Sequence, residues 1–90
     1  MVELEGKSGV RHTFSKAETS SAPKGVSEGD NLVVESVTDI VNSMATIMEV
    51  LALFVKALDV GAREVSLEAP SFDEQAKEIA AEYGIRLRKK

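Results

Sequence analysis

The chain of 90 residues contains no cysteine and no tryptophan. The absence of cysteine excludes a disulfide framework, a thiolate metal site and a cysteine nucleophile. Amide side chains are limited to Asn31, Asn42 and Gln75, whereas charged residues make up 29% of the sequence. Few heat-labile amides and many charges are typical of thermophile proteins. Histidine occurs once, at His12, and a lone histidine on a strand usually packs or hydrogen-bonds within the fold.

The sequence also lacks a long apolar run that is free of charge. Its most apolar stretch covers residues 40–60, and four polar side chains interrupt it: Asn42, Glu49, Lys56 and Asp59. A buried helix fits this stretch better than a membrane span, which needs about 18 or more apolar residues. Residues 1–5 have neither the basic start nor the apolar segment of a secretory signal. We therefore expect a cytoplasmic protein with no membrane partner.

The net charge of −4 is unevenly distributed along the chain. Residues 1–27 carry four basic and three acidic side chains, residues 28–85 carry three and twelve, and residues 86–90 carry four and none. The acidic middle would repel a phosphate backbone, so only the two ends could attract nucleic acid. The candidate nucleic-acid-binding residues are Lys7, Arg11, Arg86, Arg88 and Lys89. A basic C-terminal segment that only improves solubility is the alternative.

Alternation of apolar and polar residues predicts three strands in the first half of the chain. Residues 2–4 and 10–14 flank the turn Gly-Lys-Ser-Gly and form a predicted antiparallel hairpin. A valine-rich third strand covers residues 31–37, with Val34 and Val37 on opposite faces. Residues 18–30 contain many structure breakers and no periodicity, which predicts a flexible loop.

A long helix is predicted in the middle of the chain. Thr38 or Asp39 is its candidate N-cap, and it runs to about Asp59 before Gly61 closes it. Its apolar positions form a wide face and its polar stripe is narrow, so it must be covered on more than one side. A sheet can cover one side and a second copy of the chain the other, which predicts a homodimer. The predicted interface residues are Met44, Met48, Leu51 and Val55. The two methionines fit core packing as well as an adaptable contact surface.

The end of the chain adds three more elements. Residues 63–69 alternate strictly and predict a strand, residues 72–83 predict a helix with a capping box at Ser71 and Glu74, and residues 85–88 predict a last strand. The order β-β-β-α-β-α-β predicts a single α/β domain over residues 1–90. Two helical crossovers make the last three strands parallel, so the sheet is mixed, with the antiparallel hairpin at one end.

The two ends of the chain also carry a family resemblance. Residues 3–14, Glu-Leu-Glu-Gly-Lys-Ser-Gly-Val-Arg-His-Thr-Phe, look like the first hairpin of archaeal restriction-endonuclease-like (Mrr-like) proteins of the PD-(D/E)xK nuclease superfold. Residues 57–70 and the pattern Ala76, Ile79-Ala80 and Tyr83-Gly84-Ile85 look like the closing strand, helix and strand of the same group. The resemblance implies a restriction-endonuclease-like fold.

Active members of that fold hold Mg²⁺ with an Asp on the second strand and a Glu-x-Lys on the third, and cleave phosphodiesters. Where that pattern wants the Asp this chain has Ser15, and its third strand offers Glu35-Ser36-Val37. Serine supplies no anionic oxygen, and valine cannot stabilise charge. The resemblance therefore implies a degenerate relative with no catalytic residues, no metal and no cofactor.

Three functions follow from these observations. The first is a non-catalytic dimerisation or interaction domain whose partner is a second copy or a larger protein. The second is a nucleic-acid-binding domain that has lost cleavage. The third is a metal-dependent nuclease with an atypical set such as Glu35 and Asp39, completed by a partner subunit. The charge distribution favours the first over the second, and Ser15 and Val37 weigh against the third.

Overall fold

A computed structural model describes residues 1–21 and 32–90 of the chain. Over these residues the strands and helices follow in the order β1 (Val2–Glu5), β2 (Arg11–Phe14), β3 (Lys16–Ser21), β4 (Leu32–Ile40), α1 (Ile47–Val60), β5 (Glu64–Ala69), α2 (Glu74–Tyr83) and β6 (Arg86–Lys89).

The strands form two sheets. β1 and β2 pair antiparallel as a separate hairpin, and the other four strands form one sheet in the order β3-β4-β5-β6. β3 is antiparallel to β4, whereas β4, β5 and β6 are parallel. The structure therefore confirms the α/β class, the presence of a mixed sheet, the N-terminal hairpin and the two helices that connect the parallel strands. The predicted place of the hairpin at one end of that sheet is wrong, because the antiparallel strand of the mixed sheet is β3, which the predicted order β-β-β-α-β-α-β lacks.

Both helices lie on one face of the four-stranded sheet. The connections from β4 to β5 and from β5 to β6 run in the same direction across the sheet, and right-handed crossovers then place their helices on the same side. Along β5, Leu67 and Ala69 face the helices and are buried. Glu64, Ser66 and Glu68 line the opposite face of the sheet, which neither α1 nor α2 covers.

The core lies between the sheet, the helices and the hairpin. Its largest fully buried side chains are Phe14, Leu53, Leu67, Val37 and Val50. Phe14 comes from β2, so the hairpin contributes to the same core as the main sheet. This shared core fixes the hairpin next to α1.

The first helix is shorter than the sequence predicts, because β4 continues to Ile40. The predicted caps Thr38 and Asp39 lie in β4, where Asp39 pairs with Leu67 of β5. The true N-cap is Thr46, which forms a capping box with Glu49. The prediction was wrong because a neighbouring strand competes for these residues, and local periodicity does not reveal it. The predicted cap at Gly61 is confirmed, with φ 72°.

The predicted loop over residues 18–30 begins too early. Residues 18–21 belong to β3, which pairs with β4 from Lys16 opposite Thr38 onward. Polar edge strands lack the apolar alternation that a sequence pattern relies on, so this strand was missed. The remaining residues of the predicted loop, and Asn31, lie outside the described residues.

A bulge in β4 corrects the predicted orientation of its valines. Glu18 pairs with Ser36 and Thr19 with Val34, so Glu35 is an extra residue on the β4 side. An extra residue shifts the alternation of side chains by one position. Val34 and Val37, predicted to face opposite sides, are therefore both buried in the core.

The second helix begins two residues later than predicted. Its N-cap is Asp73, whose carboxylate accepts a hydrogen bond from the Ala76 N–H at 2.7 Å, so the predicted cap at Ser71 is wrong. Gly84 closes the helix in the left-handed conformation, as predicted. Neither helix of the described chain is long and apolar enough to cross a membrane.

Candidate functional site

Every exposed residue of α1 is apolar. These residues form what we call the α1 stripe: Met48, Leu51, Ala52, Val55 and Leu58. The exposed fractions of the four larger side chains are 68% for Met48, 37% for Leu51, 60% for Val55 and 66% for Leu58. Their spacing of three and four residues places them along one side of the helix. Met44, four residues before Met48, is also exposed.

The charged residues of α1 are turned toward the domain itself. Glu49 closes the capping box, and hydrogen bonds from the backbone and side chain of Thr46 lower the pKa of its carboxyl. Lys56 donates to the Thr13 carbonyl at 2.7 Å and to the Asp39 carboxylate at 2.8 Å. The ammonium group of Lys56 also lies 4.8 Å from the centre of the Phe14 ring. These charges therefore hold α1 to the hairpin and β4.

Asp59, the third charged residue of α1, binds the turn of the hairpin. Its carboxylate accepts hydrogen bonds from the Ser8 N–H at 3.0 Å, the Ser8 hydroxyl at 2.7 Å and the His12 Nε2 at 2.7 Å. The bonds from Ser8, and secondarily from His12, hold the pKa of Asp59 below its usual value. A Cβ atom at Gly6 would overlap this carboxylate, so a larger residue there would force the Asp59 side chain out of these hydrogen bonds. His12 thus links the hairpin to α1.

The docked hairpin creates a concave site beside one end of the α1 stripe. This hairpin groove has a volume of about 520 Å³ and is lined by Lys7, Ser8, His12, Val55, Leu58 and Asp59. Val55 and Leu58 provide its apolar surface and belong to the α1 stripe. The groove lies at the C-terminal end of α1 because its lining residues on the helix are 55, 58 and 59.

The uncovered face of the sheet has a different chemistry. A recess of about 230 Å³ lies on it, lined by Arg86, Arg88 and Lys16 together with Glu18, Glu64 and Glu68, and by Ser36, Thr38 and Ser66 among others. Three cations and three carboxylates share this recess, and the Lys16 ammonium lies 3.9 Å from the Glu68 carboxylate. Such mixing weakens the attraction for a phosphate backbone.

The three residues that the resemblance placed at nuclease positions, Ser15, Glu35 and Val37, do not converge. Val37 is fully buried. The Ser15 N–H donates to Asp39, whose other carboxylate oxygen is held by Lys56. Glu35 lies four residues away along β4, at the bulge, and accepts a hydrogen bond from Ser20. Within residues 1–21 and 32–90, no three histidine, aspartate or glutamate side chains cluster as metal ligands would.

The predicted nucleic-acid-binding residues occupy different parts of the fold. Lys7 lines the hairpin groove, and Arg11 pairs with Glu3 at 2.9 Å on the hairpin. Arg86 and Arg88 lie on β6 in the recess of the open face, and Lys89 lies next to them on the same edge strand.

All four predicted interface residues are exposed, and three of them belong to the α1 stripe. The sequence interpretation missed two members of this surface, Ala52 and Leu58, because both also fit the face of α1 that packs against the sheet. The groove was missed as well, since Asp59 and its partners Ser8 and His12 lie 51 and 47 positions apart.

Comparisons of the chain with protein-family models, curated proteins and solved structures found no match.

Proposed function

We propose that this chain is a non-catalytic interaction module that forms a homodimer through the α1 stripe. The observation that carries the proposal is the inverted polarity of α1. Its exposed residues are all apolar, while Glu49, Lys56 and Asp59 make their contacts within the domain. A surface helix normally exposes its charged residues to water and buries its apolar residues.

The size of the apolar surface agrees with a dimer interface. Five large apolar side chains of the α1 stripe and Met44 are 37–68% exposed, whereas the largest apolar patch of a typical monomer covers about 300–600 Å² in all. A standard interface buries about 800 Å² on each partner, of which about 65% is apolar in homodimers, or about 520 Å². The five exposed side chains of each copy would contribute to that apolar area.

A second copy of the chain is the partner that this surface fits best. In a two-fold symmetric dimer the same surface lies on both sides, so it must be compatible with itself. The α1 stripe carries no charge that would face a like charge on its copy. Its spacing of three and four residues is also the spacing that lets two helices pack along a shared apolar seam.

The open face of the sheet supports a second candidate function, nucleic-acid binding. Arg86 and Arg88 lie two residues apart in its recess, where Lys16 adds a third cation. The carboxylates of Glu18, Glu64 and Glu68 lie in the same recess and oppose a phosphate ligand. This function therefore ranks second. It predicts binding to a DNA duplex that falls steeply as salt increases, and that Arg86→Ala with Arg88→Ala abolishes.

Dimerisation is tested by two matched substitutions, Ala52→Glu and Ala81→Glu. Both residues are exposed alanines within a helix, but Ala52 lies in the α1 stripe and Ala81 on α2. Sedimentation velocity over a concentration series should show a dimer for the native chain and for Ala81→Glu. Ala52→Glu should shift the dissociation constant at least tenfold upward, since it buries an unpaired carboxylate in the interface.

Circular dichroism of both variants controls for folding. A native chain that stays monomeric at several hundred micromolar would contradict the proposal. A dimer that Ala52→Glu and Ala81→Glu affect equally would show that another surface forms it.

A further inference from the structure

We propose that the two copies pair with their α1 helices antiparallel, and that Met48 of each copy occupies the hairpin groove of the other. This inference rests on the proposed dimer and specifies its geometry. It makes the groove a site that is completed only by a residue of the second copy.

The two ends of the α1 stripe have complementary shapes. The N-terminal end carries Met48, the most exposed of the four larger side chains of the stripe, and the exposed Met44 precedes it. The C-terminal end is concave, because the hairpin turn rises beside Val55 and Leu58 and forms the wall of the groove. Methionine is unbranched and flexible, and it fills irregular apolar spaces well. A projecting end and a concave end match when the helices run in opposite directions.

The register follows from the positions of these features along the helix. For Met48 to enter between Val55 and Leu58 of the other copy, the two-fold axis must pass near residue 52. The residue at that point is Ala52, the smallest of the stripe. A small side chain at the crossing lets two helices approach to the short end of the usual interaxial range of about 8–10 Å.

A parallel pairing fits the same residues poorly. It would place Met48 against Met48 and each hairpin groove against its own copy. Two concave sites of about 520 Å³ would then face each other, with no side chain of the stripe to fill them. Interface cores are packed as densely as protein interiors, so such a void is unfavourable. The antiparallel arrangement also brings the opposite ends of the two helix dipoles together.

The absence of cysteine from the sequence allows a clean disulfide test. Met48→Cys and Val55→Cys are made singly and together in the full chain. Positions 48 and 55 are about 10 Å apart along one helix, too far for a bond within a chain. Mild oxidation should convert most of the double variant to a covalent dimer. Neither single variant should cross-link, because two copies of position 48 lie about 12 Å apart along antiparallel helices centred on residue 52.

Sedimentation of the reduced variants separates the two proposals. In one outcome the reduced variants are dimers, and oxidation cross-links the single variant Met48→Cys efficiently. This result would indicate parallel helices and overturn the antiparallel arrangement, but it would leave the homodimer intact. A reduced dimer in which the double variant does not cross-link would also overturn this arrangement. If the native chain and all the reduced variants are monomeric, the homodimer itself is overturned.

The native sequence provides a second measurement that needs no substitution. One half of a mixed sample carries labelled methionine methyl groups and the other half labelled leucine and valine methyl groups. Met48 and Leu58 of one chain are about 15 Å apart along the helix, so a nuclear Overhauser contact between their methyl groups must be intermolecular. This contact is expected. A dimeric sample with no contact from Met48 to Val55 or Leu58 would contradict the inference.

Discussion

α1 and α2 occupy equivalent places in the fold but present opposite surfaces to their surroundings. Each connects two neighbouring parallel strands, begins at a side-chain N-cap and ends at a left-handed glycine. The exposed positions of α2 include Glu74, Lys77, Glu78 and Glu82, whereas those of α1 include no charged residue. The comparison teaches that helix formation and solvation are separate requirements. α2 meets both with its own residues, whereas α1 leaves an apolar outer face exposed.

The charged residues of the two helices differ in the same way. Each helix contains one lysine. Lys77 of α2 pairs with the exposed Glu74 at 3.5 Å, one turn away on the same helix. Lys56 of α1 instead reaches Asp39 and the Thr13 carbonyl, and both side chains of that ion pair are about three-quarters buried. The charges of α1 therefore contribute to the tertiary structure, which leaves its outer face without them.

The largest expected change in stability distinguishes the buried face of α1 from its exposed face. Leu53→Ala removes a fully buried side chain and should lower the free energy of unfolding by about 2–5 kcal/mol. Leu51→Ala, two residues away on the exposed stripe, should cost less than about 1 kcal/mol in dilute protein, where the monomer predominates. Urea unfolding at low concentration measures both. Equal losses would mean that Leu51 is packed within the monomer.

The next effect compares the two lysines. Lys56→Met keeps the apolar part of the side chain but leaves Asp39 without its ion-pair partner, so it should cost about 1.5–3 kcal/mol. Lys77→Met removes only an exposed pair on α2 and should change stability by less than about 0.5 kcal/mol. Thermal unfolding of the two variants provides the measurement. A small loss for Lys56→Met would show that its contacts do not stabilise the position of α1.

The smallest effect concerns pH at the hairpin turn. The pKa of Asp59 is lower in the folded chain than its usual value of 3.8, chiefly because Ser8 donates hydrogen bonds to it. The unfolded chain therefore binds this proton more readily, so the stabilisation is present above that usual value and is lost as pH falls through the folded pKa. Ser8→Ala should lower stability near neutral pH and reduce its loss in acid.

Unfolding free energies at several pH values between 6 and 3, on the order of one pH unit apart, would show this change in slope. Ser43→Ala replaces another exposed serine and serves as the control. If Ser8→Ala and Ser43→Ala change the slope of unfolding free energy against pH to the same extent, the hydrogen bonds from Ser8 to Asp59 have no specific role in it.

Much of the fold could be predicted because its signals are local. The alternation of residues 64–69 identifies β5, and Gly61 and Gly84 mark both helix ends. The start of α1 could not be predicted in this way. Thr38, Asp39 and Thr46 are all good N-cap residues, and only the pairing of β4 with β5 decides among them. The bulge at Glu35 likewise depends on β3, whose polar residues give no periodic signal.

In the candidate site, too, the features with a local sequence signal could be predicted and those that depend on long-range contacts could not. The spacing of Met48, Leu51 and Val55 is visible in the sequence, and it indicated a helix face larger than one sheet can cover. The groove depends on the contacts of Asp59 with Ser8 and His12, which lie 51 and 47 positions before it in the sequence. No local pattern contains both partners, so the structure was needed to find it.

The one-sided placement of the helices has a consequence for the shape of the proposed pair. If the helices meet at the centre, the layers follow in the order sheet, helices, helices, sheet, and the uncovered sheet surfaces become the two outer faces of the particle. Arg86 and Arg88 would then be displayed twice, pointing away from each other. A ligand that bound there weakly could be held by both surfaces only if it were long or flexible enough to reach around the assembly.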